Sequence, residues 1–131
     1  MVESVVQQSM LRRAVEQEKV DLHCINLRDF GKSNYRQIDD TPFGGGVGMV
    51  MMAKPLFEAI DHATELVGGT ENLRVIYPSP QGELWSHKHA VENSKVDKLI
   101  VICGHYKGID QRVIEKYVTH EYSIGDFVVT S

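Results

Sequence analysis

Residues 98–103, Lys-Leu-Ile-Val-Ile-Cys, constrain the fold of this chain more than any other run. The five residues after the lysine are all apolar, and such a strand has no face to offer water. That pattern predicts a strand buried on both faces of a parallel sheet. Gly104 follows at once and Gly108 shortly after, in Cys103-Gly104-His105-Tyr106-Lys107-Gly108-Ile109-Asp110. A second run of small and turn-forming residues, Ser123-Ile124-Gly125-Asp126-Phe127-Val128-Val129-Thr130, comes later in the chain. Glycines at strand ends admit positive φ or the close approach of another backbone. Loops of this kind at successive strand ends can build a pocket out of main chain.

The rest of the chain fits an alternation of helices and strands. Val2, Val6, Met10 and Ala14 step by four, widened by Leu11 and Val15, and predict a helix over 2–18. Residues 20–27 alternate and predict a strand. Residues 28–48 are polar and then glycine-rich, and read as a long loop; loops of that length are usually functional or disordered. Leu56, Ile60, Ala63 and Val67 share one face of a helix over 54–67, which Gly68-Gly69 ends. A short strand over 73–77 is expected to stop at Pro78 and Pro80. A weaker helix covers 86–94, and Asp110 is placed to cap a helix through Val118 whose inner face is Val113, Ile114 and Tyr117. A last strand falls within 121–129. The expectation is one α/β domain over residues 1–131, with a mainly parallel sheet flanked by helices.

Composition sets bounds on function. With 42% hydrophobic and 24% charged residues the chain is ordinary globular material, and no apolar stretch approaches the ~20 residues that span a bilayer. Cys24 and Cys103 are far apart and fit reduced thiols in a cytoplasmic protein better than a disulfide. A net charge of −4 argues against holding nucleic acid by bulk charge, and leaves room for a local basic patch.

Several motifs carry two readings each. Gly44-Gly45-Gly46-Val47-Gly48 fits neither the dinucleotide nor the triphosphate loop spacing. It is either a flexible turn into the next helix or a loop that admits a flat ligand or a partner chain. Tyr77-Pro78-Ser79-Pro80-Gln81-Gly82 directly follows a strand, where ligands of open α/β sheets sit. It is either a rigid connector or one wall of a pocket shared with the loops at 103–110 and 123–130. Arg28, Lys32 and Arg36, beside Asn34 and Tyr35, are either phosphate contacts or plain solvated surface. His87 and His89 point apart on a helix, and Cys103 and His105 have no third ligand nearby, so no metal site is expected.

Together these runs resemble the bacterial tRNA (guanine-N1)-methyltransferase family. The matching segments are Arg28-Asp29-Phe30, Arg36-Gln37-Ile38-Asp39-Asp40 leading into Phe43-Gly44-Gly45-Gly46-Val47-Gly48-Met49, Tyr77-Pro78-Ser79-Pro80-Gln81-Gly82, the run from Cys103 to Asp110 with Arg112-Val113-Ile114, and the run from Ser123 to Val129. Their order and spacing agree across nearly the whole chain. The resemblance implies a SPOUT-type trefoil-knot methyltransferase core binding S-adenosylmethionine. Tyr77, Pro78, Ser79 and Pro80 would line one side of the cofactor, Gly104 another, and Ile124, Gly125, Asp126, Phe127, Val128 and Val129 the adenine. Arg28, Arg36, Gly46 and Gly48 would face the target guanine of the tRNA anticodon loop, and members are homodimers.

The same resemblance implies methyl transfer to N1 of the guanine 3′ of the anticodon, with a base removing the N1 proton. The family places that base, an aspartate, in a linker past the third cofactor loop; no carboxylate of this chain matches it, so the expected position lies beyond Ser131. His105-Tyr106-Lys107 stands where many members have Arg-Tyr-Glu, and loss of that glutamate argues against a magnesium role. The family's first strand and its C-terminal tRNA-gripping domain also find no match. The expectation is therefore a cofactor-binding core, a fragment with an incomplete knot and inactive alone. A non-catalytic module holding an adenosine-like ligand or a protein partner is the alternative.

Overall fold

The computed structural model describes residues 7–32, 34–42, 45, 48–105 and 107–127. Its centre is a parallel three-stranded sheet in the order β4-β3-β5, with β3 at Leu73–Leu84, β4 at Lys98–Val101 and β5 at His120–Ser123. A small antiparallel pair, β1 (Asp39–Asp40) with β2 (Val50–Met51), lies ahead of it in the chain. Four α-helices complete the described residues: α1 (Ser9–Glu16), α2 (Ala53–Leu66), α3 (His87–Asn93) and α4 (Gln111–Tyr117). The expected α/β architecture with a parallel sheet is present.

Side chains alternate across a strand, and that alternation sorts the layers. Val75 and Tyr77 of β3 face α2 and α4, forming the core with Met51, Ala53, Leu56, Ile60, Ile102, Ile109 and Val113. Arg74 and Ile76 face the other way. There Arg74 donates to Asn93 of α3, and Asn93 donates to the Tyr122 hydroxyl of β5. Helix α2 buries Leu56, Ala59, Ile60 and Ala63 on one stripe, as its spacing predicts. Pro55 lies in its first turn, where a missing N–H costs nothing. At the other end Gly69 N–H returns to the Thr64 carbonyl at 2.8 Å and closes the helix. Asp110 caps α4 by accepting from Arg112 N–H at 2.9 Å.

The structure corrects four expectations. Residues 20–26 form no strand: an extended segment needs a neighbour to take its N–H and C=O groups, and no described residue pairs with it. The chain then turns into a 3-10 helix, Leu27–Phe30, because the Asn26 side chain accepts from Arg28 N–H at 3.1 Å. The prolines do not stop β3. Pro78 still pairs with Tyr122, residues 79–82 leave the ladder, and Glu83 rejoins it opposite the same Tyr122. Prolines are tolerated at such a bulge because no ladder donor is needed there.

Nor is β4 buried on both faces. It is an edge strand, and α3 covers β3 and β5 on that side, leaving Leu99 and Val101 44% and 53% exposed. Cys103 is accordingly exposed, and both cysteines are free thiols. Finally, the described part of the first helix is Ser9–Glu16, it buries no residue, and positions 2–6 of the expected helix lie outside the described residues.

Candidate functional site

Because β3, β4 and β5 are parallel, the bulge of β3 and the residues that follow β4 and β5 lie toward one edge of the sheet. Tyr77 is the hub. Its ring is buried, and it packs so closely under the backbone at 104 that a Cβ there would lie 3.0 Å from the ring. Its hydroxyl would lie 3.4 Å from a Cβ at 108. Burial, then the Glu121 carboxylate, push the phenol above its ordinary pKa, and a hydrogen bond with the Ile109 backbone opposes them. Tyr77 is thus a neutral wall joining two of the loops, and no proton leaves it near neutral pH.

In the first loop Pro78 and Pro80 are exposed, and the half-buried Ser79 hydroxyl accepts from Gln81 N–H at 3.1 Å. The bulge closes at Gly82, where a Cβ would fall 2.6 Å from the Glu121 and Tyr122 backbone. In the third loop Ser123 is buried; its hydroxyl donates to the Gly125 carbonyl at 3.0 Å and accepts from Gly125 N–H at 3.2 Å. Trp85 N–H donates to the Ser123 carbonyl at 2.7 Å, tying first loop to third. Ile124 and Phe127 present apolar surface to solvent, 72% and 56% exposed, and Asp126 is exposed beside them. Val128 and Val129 lie outside the described residues, as does Gly46.

The glycine-rich segment reaches the same region. Lys107 N–H donates to the Met49 carbonyl, Met51 N–H to Gly108 and Asp110 N–H to Met51, a parallel bridge between distant parts of the chain. The Met51 thioether accepts from His105 N–H at 3.3 Å. Gly48 sits at φ +115°, and a Cβ on it would run 2.7 Å from the Lys107 stem. Gly48 is therefore held against the second loop at Lys107. Arg28 and Arg36 belong elsewhere: both are exposed on the segment packed against α2, with Arg36 paired to Asp29 at 3.1 Å.

The family model for tRNA (Guanine-1)-methyltransferase TrmD matches residues 1–131. The chain belongs to this family. Among its relatives, the tRNA (guanine-N(1)-)-methyltransferase of Alkaliphilus metalliredigens is 46% identical over 122 residues, covering 93% of this chain and 49% of the relative. Those of Caldanaerobacter subterraneus and Staphylococcus aureus are 46% and 43% identical over 130 residues, 99% of this chain and 52% and 51% of theirs. The chain spans about half the length of these curated relatives.

Within this family member, one cleft lies apart from the loop hub and a second adjoins the second loop at Ile109 and Asp110. One, of about 670 Å³, is bounded by Leu22, Cys24, Asn26, Phe30, His62 and Leu66. The other, of about 500 Å³, lies between the start of α2 and the start of α4, with Lys32, Lys54 and Arg112 on its walls. Among the described residues no three His, Cys, Asp or Glu side chains gather as a metal site, and no helix is long and apolar enough to cross a membrane.

Sequence reasoning missed three residues of the region. Met51 and Lys107 act through long-range contacts that no local pattern announces. His89 was weighed only as a metal ligand. It is buried, its Nδ1 accepts from Ser86 N–H at 3.1 Å, and its Nε2 lies 3.0 Å from Glu83. The spacing Ser86-x-x-His89 is that of a capping box, with histidine in the usual place of glutamate, and could have been read from sequence.

Proposed function

We propose that these residues form the cofactor-binding core of a tRNA (guanine-N1)-methyltransferase acting on the guanine 3′ of the anticodon. The observation that carries the reading is the packing of the second loop on Tyr77 beside the first, with the third loop tied to the end of β3 through the Trp85–Ser123 bond, at the sheet edge where α/β folds bind ligands. S-adenosylmethionine fits what the loops offer. An adenine edge needs peptide N–H and C=O groups and apolar contact rather than charge; Gly104 is exposed above Tyr77, and Ile124 and Phe127 offer exposed apolar surface on the third loop. Pro78, Ser79 and Pro80 would close one side and Gly104 the other; Ile124 to Val129 would take the adenine. When bound, the cofactor supplies an electrophilic methyl group.

The chain's own part is to bind and orient. Gly48, held against Lys107, offers a flat approach for the target base close to the second loop. The Tyr77 wall excludes water without adding charge. This reading implies tRNA and a second copy of the chain as partners, a cytoplasmic setting, a single domain over the 131 residues and no magnesium held by Lys107.

Calorimetry of the 131-residue chain with S-adenosylmethionine and S-adenosylhomocysteine tests it. Both are expected to bind with Kd on the order of micromolar. Gly104→Leu, which places a side chain where ligand and Tyr77 converge, is expected to abolish binding. A folded chain that takes up neither compound overturns the proposal.

A further inference from the structure

His89 is buried, and both of its ring nitrogens are engaged. Nδ1 accepts from Ser86 N–H at 3.1 Å, which leaves the proton of the neutral ring on Nε2. Nε2 then donates to the Glu83 carboxylate at 3.0 Å. The ring packs on Trp85 and on Tyr122, with centroids 6.0 and 5.0 Å apart. The main chain is held as well. The His89 carbonyl accepts from the Asn93 amide at 2.8 Å, and the same amide donates to the Tyr122 hydroxyl at 3.2 Å.

These partners sit at the exit of the first loop. Pro78 and Glu83 both pair with Tyr122, so the bulge at 79–82 opens and closes against that one residue of β5. The chain then runs through Glu83 to Ser86 into α3. His89 holds Glu83 and Ser86 by hydrogen bonds and Trp85 by its ring. Trp85 N–H in turn donates to the Ser123 carbonyl at 2.7 Å, where the third loop begins. One imidazole thus joins the exit of the first loop, the start of α3 and the strand that carries the third loop. A leucine would serve packing alone, whereas a buried imidazole costs desolvation unless both nitrogens find partners.

We propose that His89 is a positioning residue: through Glu83 and Trp85 it fixes the exit of the 79–82 bulge, and with it the wall that the first loop presents to the cofactor. The inference rests on the cofactor reading above and adds to it a residue that acts through others. The Glu83 side chain is 71% exposed, so its bond with His89 contributes little to global stability, and its loss is felt locally. That difference separates positioning from plain support of the fold.

The test compares Glu83→Ala, Glu83→Gln, His89→Leu and His89→Gln in the 131-residue chain, by calorimetry with S-adenosylhomocysteine, backbone amide exchange over residues 81–86 and thermal unfolding. Glu83→Ala is expected to weaken binding about 5-fold and to speed exchange at Trp85 and Ser86 with Tm unchanged. Glu83→Gln, whose amide oxygen still accepts from Nε2–H, is expected to stay near wild type. His89→Leu keeps the packing and loses both side-chain hydrogen bonds, and about 10-fold weaker binding is expected. Glutamine at this position offers an oxygen to Ser86 N–H and an N–H to Glu83, so His89→Gln is expected to restore most of the loss. Adding Glu83→Ala to His89→Leu should weaken binding no further, because the two residues act through one contact. Wild-type affinity and exchange in Glu83→Ala overturn the positioning role, and so do additive losses in the double variant. If the wild-type chain binds no S-adenosylhomocysteine, the cofactor reading falls, and exchange in Glu83→Ala then decides by itself whether His89 fixes the bulge.

Discussion

Gly82→Ala probes the device that lets β3 pass two prolines. The added Cβ would lie 2.6 Å from the Glu121 carbonyl carbon and the Tyr122 nitrogen. Ordinary contact begins about 0.8 Å farther out, and the obstacle is backbone, which cannot rotate away as a side chain does. Either the strand absorbs the overlap, at about 1–3 kcal/mol, or β5 peels from Glu83 and Leu84. Peeling gives up the Trp85–Ser123 bond and its neighbours, each worth about 1 kcal/mol. Replacing glycine also stiffens the unfolded chain, which returns about 0.4–1 kcal/mol. The net loss is about 1–2 kcal/mol, or roughly 4–7 °C in Tm for a chain this size.

Thermal unfolding by circular dichroism gives the stability. The emission of Trp85, the only tryptophan, gives the local change, because its ring packs edge-on to Tyr122 at 4.9 Å. If the proposed cofactor site is right, affinity for S-adenosylhomocysteine falls in the same variant, since residues 79–82 form one of its walls. A Gly82→Ala chain within about 0.5 kcal/mol of wild type, with unchanged Trp85 emission, refutes the close-approach argument.

Three further outcomes follow from single residues. Val113 is fully buried in the core, and Val113→Ala is expected to cost about 2 kcal/mol in chemical denaturation; a loss below about 0.5 would mean the site collapses around the gap. The Asp110 carboxyl is held below its ordinary pKa, chiefly by its hydrogen bond with the Arg112 side chain. Its contribution is therefore present above the unfolded pKa near 3.9 and lost as pH falls through the folded value, so the stability gap to Asp110→Asn should narrow in acid and stay constant at neutral pH. The Tyr117 phenol is pushed up to about 12 by burial and then by its 2.7 Å hydrogen bond to Asp61. A raised folded pKa means stability kept below about 10 and lost as pH rises toward about 12, a loss that denaturation of Tyr117→Phe over the same window should not show.

Several elements were readable before any fold was known. The stripe Leu56, Ile60, Ala63 and the stop at Gly68-Gly69 define α2 by local rules, and the Asp110 cap defines α4 in the same way. The family likeness was readable too, because its segments keep their order and spacing along the chain. The alternation at 20–27 misled because a strand is a property of two segments, and pattern within one cannot supply its partner. The apolar run of β4 misled for a related reason: its composition allows burial on both faces, but how far α3 extends over the sheet determines how much of it is covered.

What the order of residues determined alone was local: where helices begin and end, which stretches favour β structure, and which loops carry glycine and proline at strand ends. Tertiary structure decided which of those pieces touch. Tyr77 beneath Gly104, Gly82 against Tyr122, and Met51 bridging to Ile109 join residues 27 to 58 positions apart. Such contacts depend on parallel strands being brought together by the packing of α2 and α4 on one face and α3 on the other. Burial and hydrogen bonding across the sheet set that packing, and neither is visible in the spacing of residues along one segment.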